Sequence, residues 1–228
     1  MYFREIITGD GNYDDFTQQN NCVRNLSDLL VSCGFVKARE FIWKQQQDGP
    51  EKFYDQICID LSYSECSYQL RIRTMGSDGC QIGLITSESG NTDLPYYWNG
   101  LDLINMPFDF IYNDNGVFVR NIDAKGTKGF CYSTDGENNI VWIKNTPFVD
   151  GIATENDTTI DFPGYYDANN GETFFLLPVH VLSRSTGEVI SIPKNIYRFN
   201  DDSFRGVFLL QDNTGKKWGR IGNAWFRE

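Results

Sequence analysis

The residues that most constrain this chain are Phe108 to Tyr112, the tetrad Asn113-Asp114-Asn115-Gly116, and Val117 to Ile122. Two apolar runs around an Asn-Gly step predict a tight hairpin. Asn-Gly favours a type I′ turn, because both central residues of that turn need positive φ. A lone hairpin is marginal in water and needs more strands beside it. Gly129 to Ser133 and Asn139 to Lys144 supply them across Asp135-Gly136, so the region reads as a meander of about four strands.

The last quarter, Phe174 to Glu228, continues the pattern. Phe174 to Leu182 is one apolar run, followed by a turn at Ser185-Thr186-Gly187 and short segments at Val189–Ile192 and Asn195–Phe199. Phe204 to Leu210 is expected to pair with Trp218 to Phe226 across Asp212-Asn213-Thr214-Gly215. This quarter is expected to form a sheet against which the rest of the chain folds. Upstream, Tyr2 to Ile7 reads as an edge strand and Phe35 to Lys44 as another. Tyr54 to Met75 reads as a long hairpin and Gln81 to Thr86 as a further strand. Between Tyr68 and Arg73 the residues alternate, with Leu70 and Ile72 on one face and Arg71 and Arg73 on the other.

One helix interrupts the strands. Asp14 or Asp15 is a suitable N-cap; Phe16, Val23, Leu26, Leu30 and Cys33 recur at helical spacing; Gly34 is the stop. Its apolar face should lie on a sheet. Asn145 to Gly171 is the least periodic segment and reads as a long loop. The expected fold class is α+β, mainly antiparallel β-sheet with one N-terminal helix packed on it. Residues 1–145 are expected to form an α+β domain containing the meander. Residues 146–228 are expected to be a long loop and a C-terminal β-region packed on the same sheet system.

Composition bounds the partners. Aromatic residues are 15% of the chain, which suits pleated sheet and broad contact surfaces. The net charge of −11 argues against direct nucleic-acid binding, which needs clustered cations. Only Lys216, Lys217 and Arg220 form a local basic group. No apolar stretch approaches the roughly 20 residues of a membrane helix, and Met1 to Glu5 lacks the plan of a signal peptide. A cytoplasmic origin is therefore expected. The cysteines at 22, 33, 58, 66, 80 and 131 form no C-x-x-C pair. Cys22 and Cys33 share one helix at about 16 Å, too far for a bridge. Free buried thiols are expected.

Candidate chemistry is sparse. The single histidine, His180, sits in an apolar strand pattern, and no G-x-S-x-G elbow accompanies it. Zinc would lack its usual ligand spacing. Asp109, Asp114, Asp123, Asp135, Asp150, Asp161 and Asp167 fall in or near turns, where Asp side chains bond to backbone. A carboxylate pair doing glycosidase chemistry is the third reading. Asp167 to Glu172 has the oxygen ligands of a calcium loop, but Val179 stands where the twelfth-position ligand is required. No Walker A sequence, dinucleotide fingerprint or H-E-x-x-H occurs. No catalytic residue, cofactor or metal is expected. The aromatic group Tyr96, Tyr97, Trp98, Tyr165 and Tyr166 admits three readings: core, protein interface, or a platform for sugars.

Four parts of the chain carry a likeness. They are the helix-bearing N-terminus, Asp48 to Tyr54, Met106-Pro107-Phe108 leading into strands, and the ending. The ending carries it best, with its strand, Ser-Thr-Gly turn, strand and Ile-Pro step at Ser185 to Pro193, then Asn195-Ile196-Tyr197-Arg198 and Trp225-Phe226-Arg227. In these residues the chain resembles virion structural proteins of tailed bacteriophages. The resemblance implies a non-enzymatic tail, neck or baseplate subunit in the virion, assembled in the host cytoplasm. Its partners would be its own copies in a symmetric ring and other virion tail or neck proteins. The interface would use the aromatic loop at Tyr96, Tyr97 and Trp98, the loop 145–171 with Tyr165 and Tyr166, and the C-terminal hairpin. In that hairpin Lys216 and Lys217 would meet an acidic loop of a neighbour. The alternative is a carbohydrate or host-surface binding module that uses the exposed aromatic loops.

Overall fold

A computed structural model describes residues 1–7, 16–47, 52–64, 66, 68–74, 80–91, 96–101, 106–123, 126–134, 140–144, 150–153, 158–161, 176–183, 185–193, 195–199, 209–221 and 224–228. In chain order the elements begin with β1 (Tyr2–Ile7), α1 (Phe16–Ser32), β2 (Val36–Gln47), β3 (Lys52–Ser62), β4 (Tyr68–Thr74), β5 (Cys80–Thr86) and β6 (Tyr96–Leu101). They continue with β7 (Met106–Asn113), β8 (Gly116–Asp123), β9 (Gly126–Thr134), β10 (Ile140–Lys144), β11 (Asp150–Ala153) and β12 (Thr158–Asp161). The last are β13 (Leu176–Pro178), β14 (His180–Ser183), β15 (Val189–Ser191), β16 (Ile196–Phe199), β17 (Leu209–Gln211), β18 (Lys217–Ile221) and β19 (Ala224–Arg227). The strands form four sheets, ordered β1-β7-β8-β9-β10-β11, β2-β3-β4-β5-β6, β12-β14-β15 and β13-β16-β19-β18-β17. The protein is thus mostly antiparallel sheet, with a single helix among the described residues.

The chain divides into two compact units. One comprises 1–3, 109–120 and 129–228; the other comprises 4–108 and 121–128. In the second unit α1 packs against β3 and β4. Cys22, Val23, Leu26, Leu30 and Cys33 are its buried stripe, facing a sheet whose Ile59, Leu61, Leu70 and Ile72 are fully buried. The helix ends as its sequence predicts. Gly34 takes φ 105°, its N–H donates to the Val31 carbonyl at 3.0 Å, and the Phe35 N–H reaches back to the Leu30 carbonyl at 3.2 Å. That pair of bonds is a Schellman closure. Asp14 and Asp15 lie outside the described residues.

The first unit is built on Ile111, Phe118, Cys131, Val179, Ile196, Ile221, Ala224 and Phe226. A polar pin ties the β7–β8 turn to the C-terminal strands. Asn113 Nδ2 donates to the Arg227 carbonyl at 2.8 Å, and the Ser133 hydroxyl donates to Asn195 Oδ1 at 2.7 Å. Gly116 fits where no side chain would: an added Cβ would sit 2.7 Å from Ser133 Cα and closer still to the Tyr132 carbonyl.

The meander is present as β7-β8-β9-β10. Its turn differs from the expected type. Gly116 has positive φ, whereas Asp114 and Asn115 do not, so the turn is not type I′. Two further expectations are corrected, and one apolar run resolves into two strands. The apolar run Phe174–Leu182 is not one strand: β13 pairs with β16, β14 pairs with β12 and β15, and the chain changes sheets at buried Val179. Trp218 to Phe226 is two strands, β18 and β19, which pair with each other. The expected loop 145–171 contains β11 and β12. All six cysteines are buried and unbridged, as expected.

Candidate functional site

β3 and β4 are registered so that Asp60 faces Arg71 and Cys58 faces Arg73. Strand alternation sends these four side chains to the face of the sheet opposite the helix. β2 brings Arg39 opposite Asp60 and Phe41 opposite Cys58. The result is a charged cluster whose Asp60–Arg71 pair is closed to water. Arg71 grips Asp60 with two parallel bonds, Nε to Oδ1 at 2.7 Å and Nη2 to Oδ2 at 2.9 Å. Both side chains are 0% exposed. Arg39 Nε adds a third bond to Asp60 Oδ2 at 2.7 Å. The remaining donors hold the segment after β5: Arg71 Nη1 binds the Gly90 carbonyl at 2.9 Å, and Arg39 binds the Ser89 carbonyl at 3.0 Å and Asn91 Oδ1 at 3.1 Å. The Phe41 ring lies 5.0 Å from the Arg39 guanidinium and 5.1 Å from that of Arg71.

Beside this saturated cluster stands Arg73. Its Nε donates to Gln81 Oε1, and its guanidinium lies 4.5 Å from the Trp43 ring. Burial pulls its pKa below the ordinary arginine value. Burial also pushes the facing Cys58 thiol up to about 11, against the pull of Arg71 and Arg73, so the thiol is neutral near pH 7.

The residues singled out by sequence are dispersed. Tyr96, Tyr97 and Trp98 lie in β6, an outer strand of the five-stranded sheet, and not in a loop. Tyr165 and Tyr166 lie outside the described residues. Lys216 and Lys217 flank the β17–β18 turn and are engaged by their own hairpin and the chain end. Lys217 Nζ donates to Gln211 Oε1 at 2.9 Å and lies 5.4 Å from the Tyr2 ring, and Lys216 Nζ donates to the Glu228 carbonyl at 3.3 Å. The turn itself hangs on Asp212, whose carboxylate accepts the Thr214 hydroxyl at 2.6 Å, the Trp218 indole N–H at 2.9 Å and the Lys216 amide at 3.0 Å. These donors, the Thr214 hydroxyl first, hold its carboxyl well below the usual range. His180 is half-buried in β14, opposite Asp161 in the strand register.

Three other features complete the inventory of the surface and the buried charges. Among the described residues β15 is an outer strand of its sheet, and its Val189 and Ile190 and the following Ile192 are 51%, 44% and 47% exposed. A second buried pair, Arg120 with Asp109, is completed by the Tyr2 hydroxyl donating to Asp109 at 3.1 Å. A cleft of about 320 Å³ runs beside Ile6, Asn25, Asp28 and Ser32. Its Ser32 hydroxyl is taken by the Leu29 carbonyl at 2.6 Å. No helix among the described residues is long and apolar enough to cross a membrane. No protein-family model matches the chain, and comparison with curated proteins gives no significant match.

Sequence reasoning missed the Arg39–Asp60–Arg71 cluster. A signal was available: a Tyr54–Met75 hairpin in the observed register places Asp60 directly across from Arg71.

Proposed function

We propose that the protein is a non-enzymatic structural subunit of a phage tail, neck or baseplate, which assembles with its own copies and with neighbouring virion proteins. The observation that carries this reading is the edge strand β15. It exposes Val189 and Ile190, with Ile192 just past its end, beside an outer row of backbone groups, the combination that pairs with strands of another chain. β15 also belongs to the Ser185–Pro193 step on which the likeness to virion proteins rests. The commitment of the charged groups supports a structural role. Asp60, Asp109 and Asp212 each bind an arginine together with other donors, which leaves them poorly placed for proton transfer.

Sedimentation velocity over a concentration series tests the reading. The wild-type chain is expected to associate. The double variant Val189→Lys, Ile190→Lys is expected to stay monomeric with unchanged far-UV circular dichroism. Identical sedimentation of the two would overturn it.

A further inference from the structure

Arg73 is a guanidinium without a counter-charge among the described residues. Arg24, Arg39, Arg71, Arg120 and Arg227 each meet a carboxylate oxygen. Among the described residues Arg73 meets the neutral Gln81 amide and the Trp43 ring and no carboxylate. Its position makes the contrast sharp. Arg71 and Arg73 sit two residues apart on the same face of β4, yet Asp60 accepts both Arg71 and Arg39. Among the described residues this face thus sets three guanidiniums beside one carboxylate, which Arg73 does not reach. The neighbour across β3 is Cys58, held as a neutral thiol by burial, so it does not balance Arg73. Buried charge is ordinarily paired. Stacking on Trp43 offsets only part of what desolvation costs a half-buried cation.

We propose that Arg73, Trp43 and Gln81 form a receptor for one carboxylate, supplied by an aspartate or glutamate side chain of a partner protein. The geometry favours this class of ligand. Gln81 takes Nε, which fixes the guanidinium plane and leaves the Nη1 and Nη2 end as a two-donor fork. Trp43 supports one face of that plane. Such a fork matches the two oxygens of a carboxylate. A polyphosphate chain is a poorer match, because its several charges would meet one unpaired cation among the described residues here. The receptor also stands if copies of the chain do not associate, because its test reads carboxylate binding and not assembly.

The test uses an acetylated, amidated tetra-glutamate peptide, titrated into the full chain. Nuclear magnetic resonance follows the Arg73 Nε–Hε signal, and fluorescence follows Trp43 by difference against Trp43→Phe. A saturable shift of the Arg73 signal is expected, with no shift from a tetra-glutamine peptide. Binding should weaken about ten-fold or more in Arg73→Gln, as expected for losing a charged hydrogen-bonding partner. Arg73→Lys keeps the charge and the stem but loses the fork, and should also bind more weakly. An unmoved Arg73 signal, equal binding by Arg73→Lys, or tighter binding of inorganic phosphate than of the peptide would each overturn the proposal.

Discussion

Replacing Asp60 by alanine removes the counter-charge of Arg71 at a position closed to water. Both side chains are 0% exposed, and Asp60 accepts bonds of 2.7, 2.9 and 2.7 Å from the two arginines. Breaking a buried pair by deleting one partner costs about 3–5 kcal/mol, because the orphaned charge stays buried. Arg39, 36% exposed, can turn towards water, so Arg39→Ala should cost no more than about 1 kcal/mol. A chain of this size has roughly 5–15 kcal/mol in all. At about 2–4 °C per kcal/mol, Asp60→Ala should lower the melting temperature by about 6–20 °C. Thermal melts followed by far-UV circular dichroism give the comparison. Raised salt should leave the difference nearly unchanged, since enclosed charges are screened little. If Asp60→Ala costs no more than Arg39→Ala, the cluster is not the closed ion pair described here.

Three further outcomes follow from particular contacts. Gly116→Ala drives a Cβ into the β9 backbone and should cost about 3 kcal/mol, whereas Gly187→Ala meets nothing within 4 Å and should cost about 1 kcal/mol for its φ of +73°; urea midpoints in the reverse order would contradict this packing. The depressed carboxyl of Asp212 stabilises the folded hairpin above the unfolded aspartate value near 4 and loses that contribution as pH falls below it. The Trp218 indole N–H resonance should therefore shift in acid, and Asp212→Asn should remove that dependence. Burial pushes the Cys33 thiol up to about 12 and the Cys131 thiol higher still, so dithionitrobenzoate should label the native chain slowly and all six thiols rapidly in urea; fast labelling of either in the native state would contradict the burial.

What was legible in the sequence was local. The β7–β8 hairpin is announced by turn residues between apolar runs, and α1 by the spacing of Val23, Leu26 and Leu30 and by Gly34. What was not legible depends on partners far along the chain. In Phe174–Leu182 only Pro178 hints that the strand changes sheets at Val179, because the residues on both sides are mostly apolar. The Asn113–Asn195–Arg227 pin joins residues too distant for any periodicity to link. Arg71 and Arg73 alternate with Leu70 and Ile72 as a polar face should, but alternation assigns a face and not its exposure. Only the register, with Arg39 and the Gly90 carbonyl in place, shows that Arg71 is enclosed.

The enclosed pair also bears on why β3 and β4 take one register. Sliding β4 by one residue against β3 would carry Arg71 to the helix side, among Leu26, Leu30 and Ile59, and would bring an isoleucine or leucine opposite Asp60. Two unpaired buried charges make that alternative expensive, whereas in an apolar sheet it would lose only packing. The pair therefore contributes more to choosing the register than to total stability, since an apolar pair of similar volume is often as stable. In Asp60→Leu, Arg71→Met the melting temperature should recover most of what Asp60→Ala loses. Amide hydrogen exchange in β3 and β4 should nevertheless be faster than in wild type, because the slipped pairing is no longer penalised. Recovery of both stability and exchange protection would show that the hydrophobic face and α1 set the register unaided.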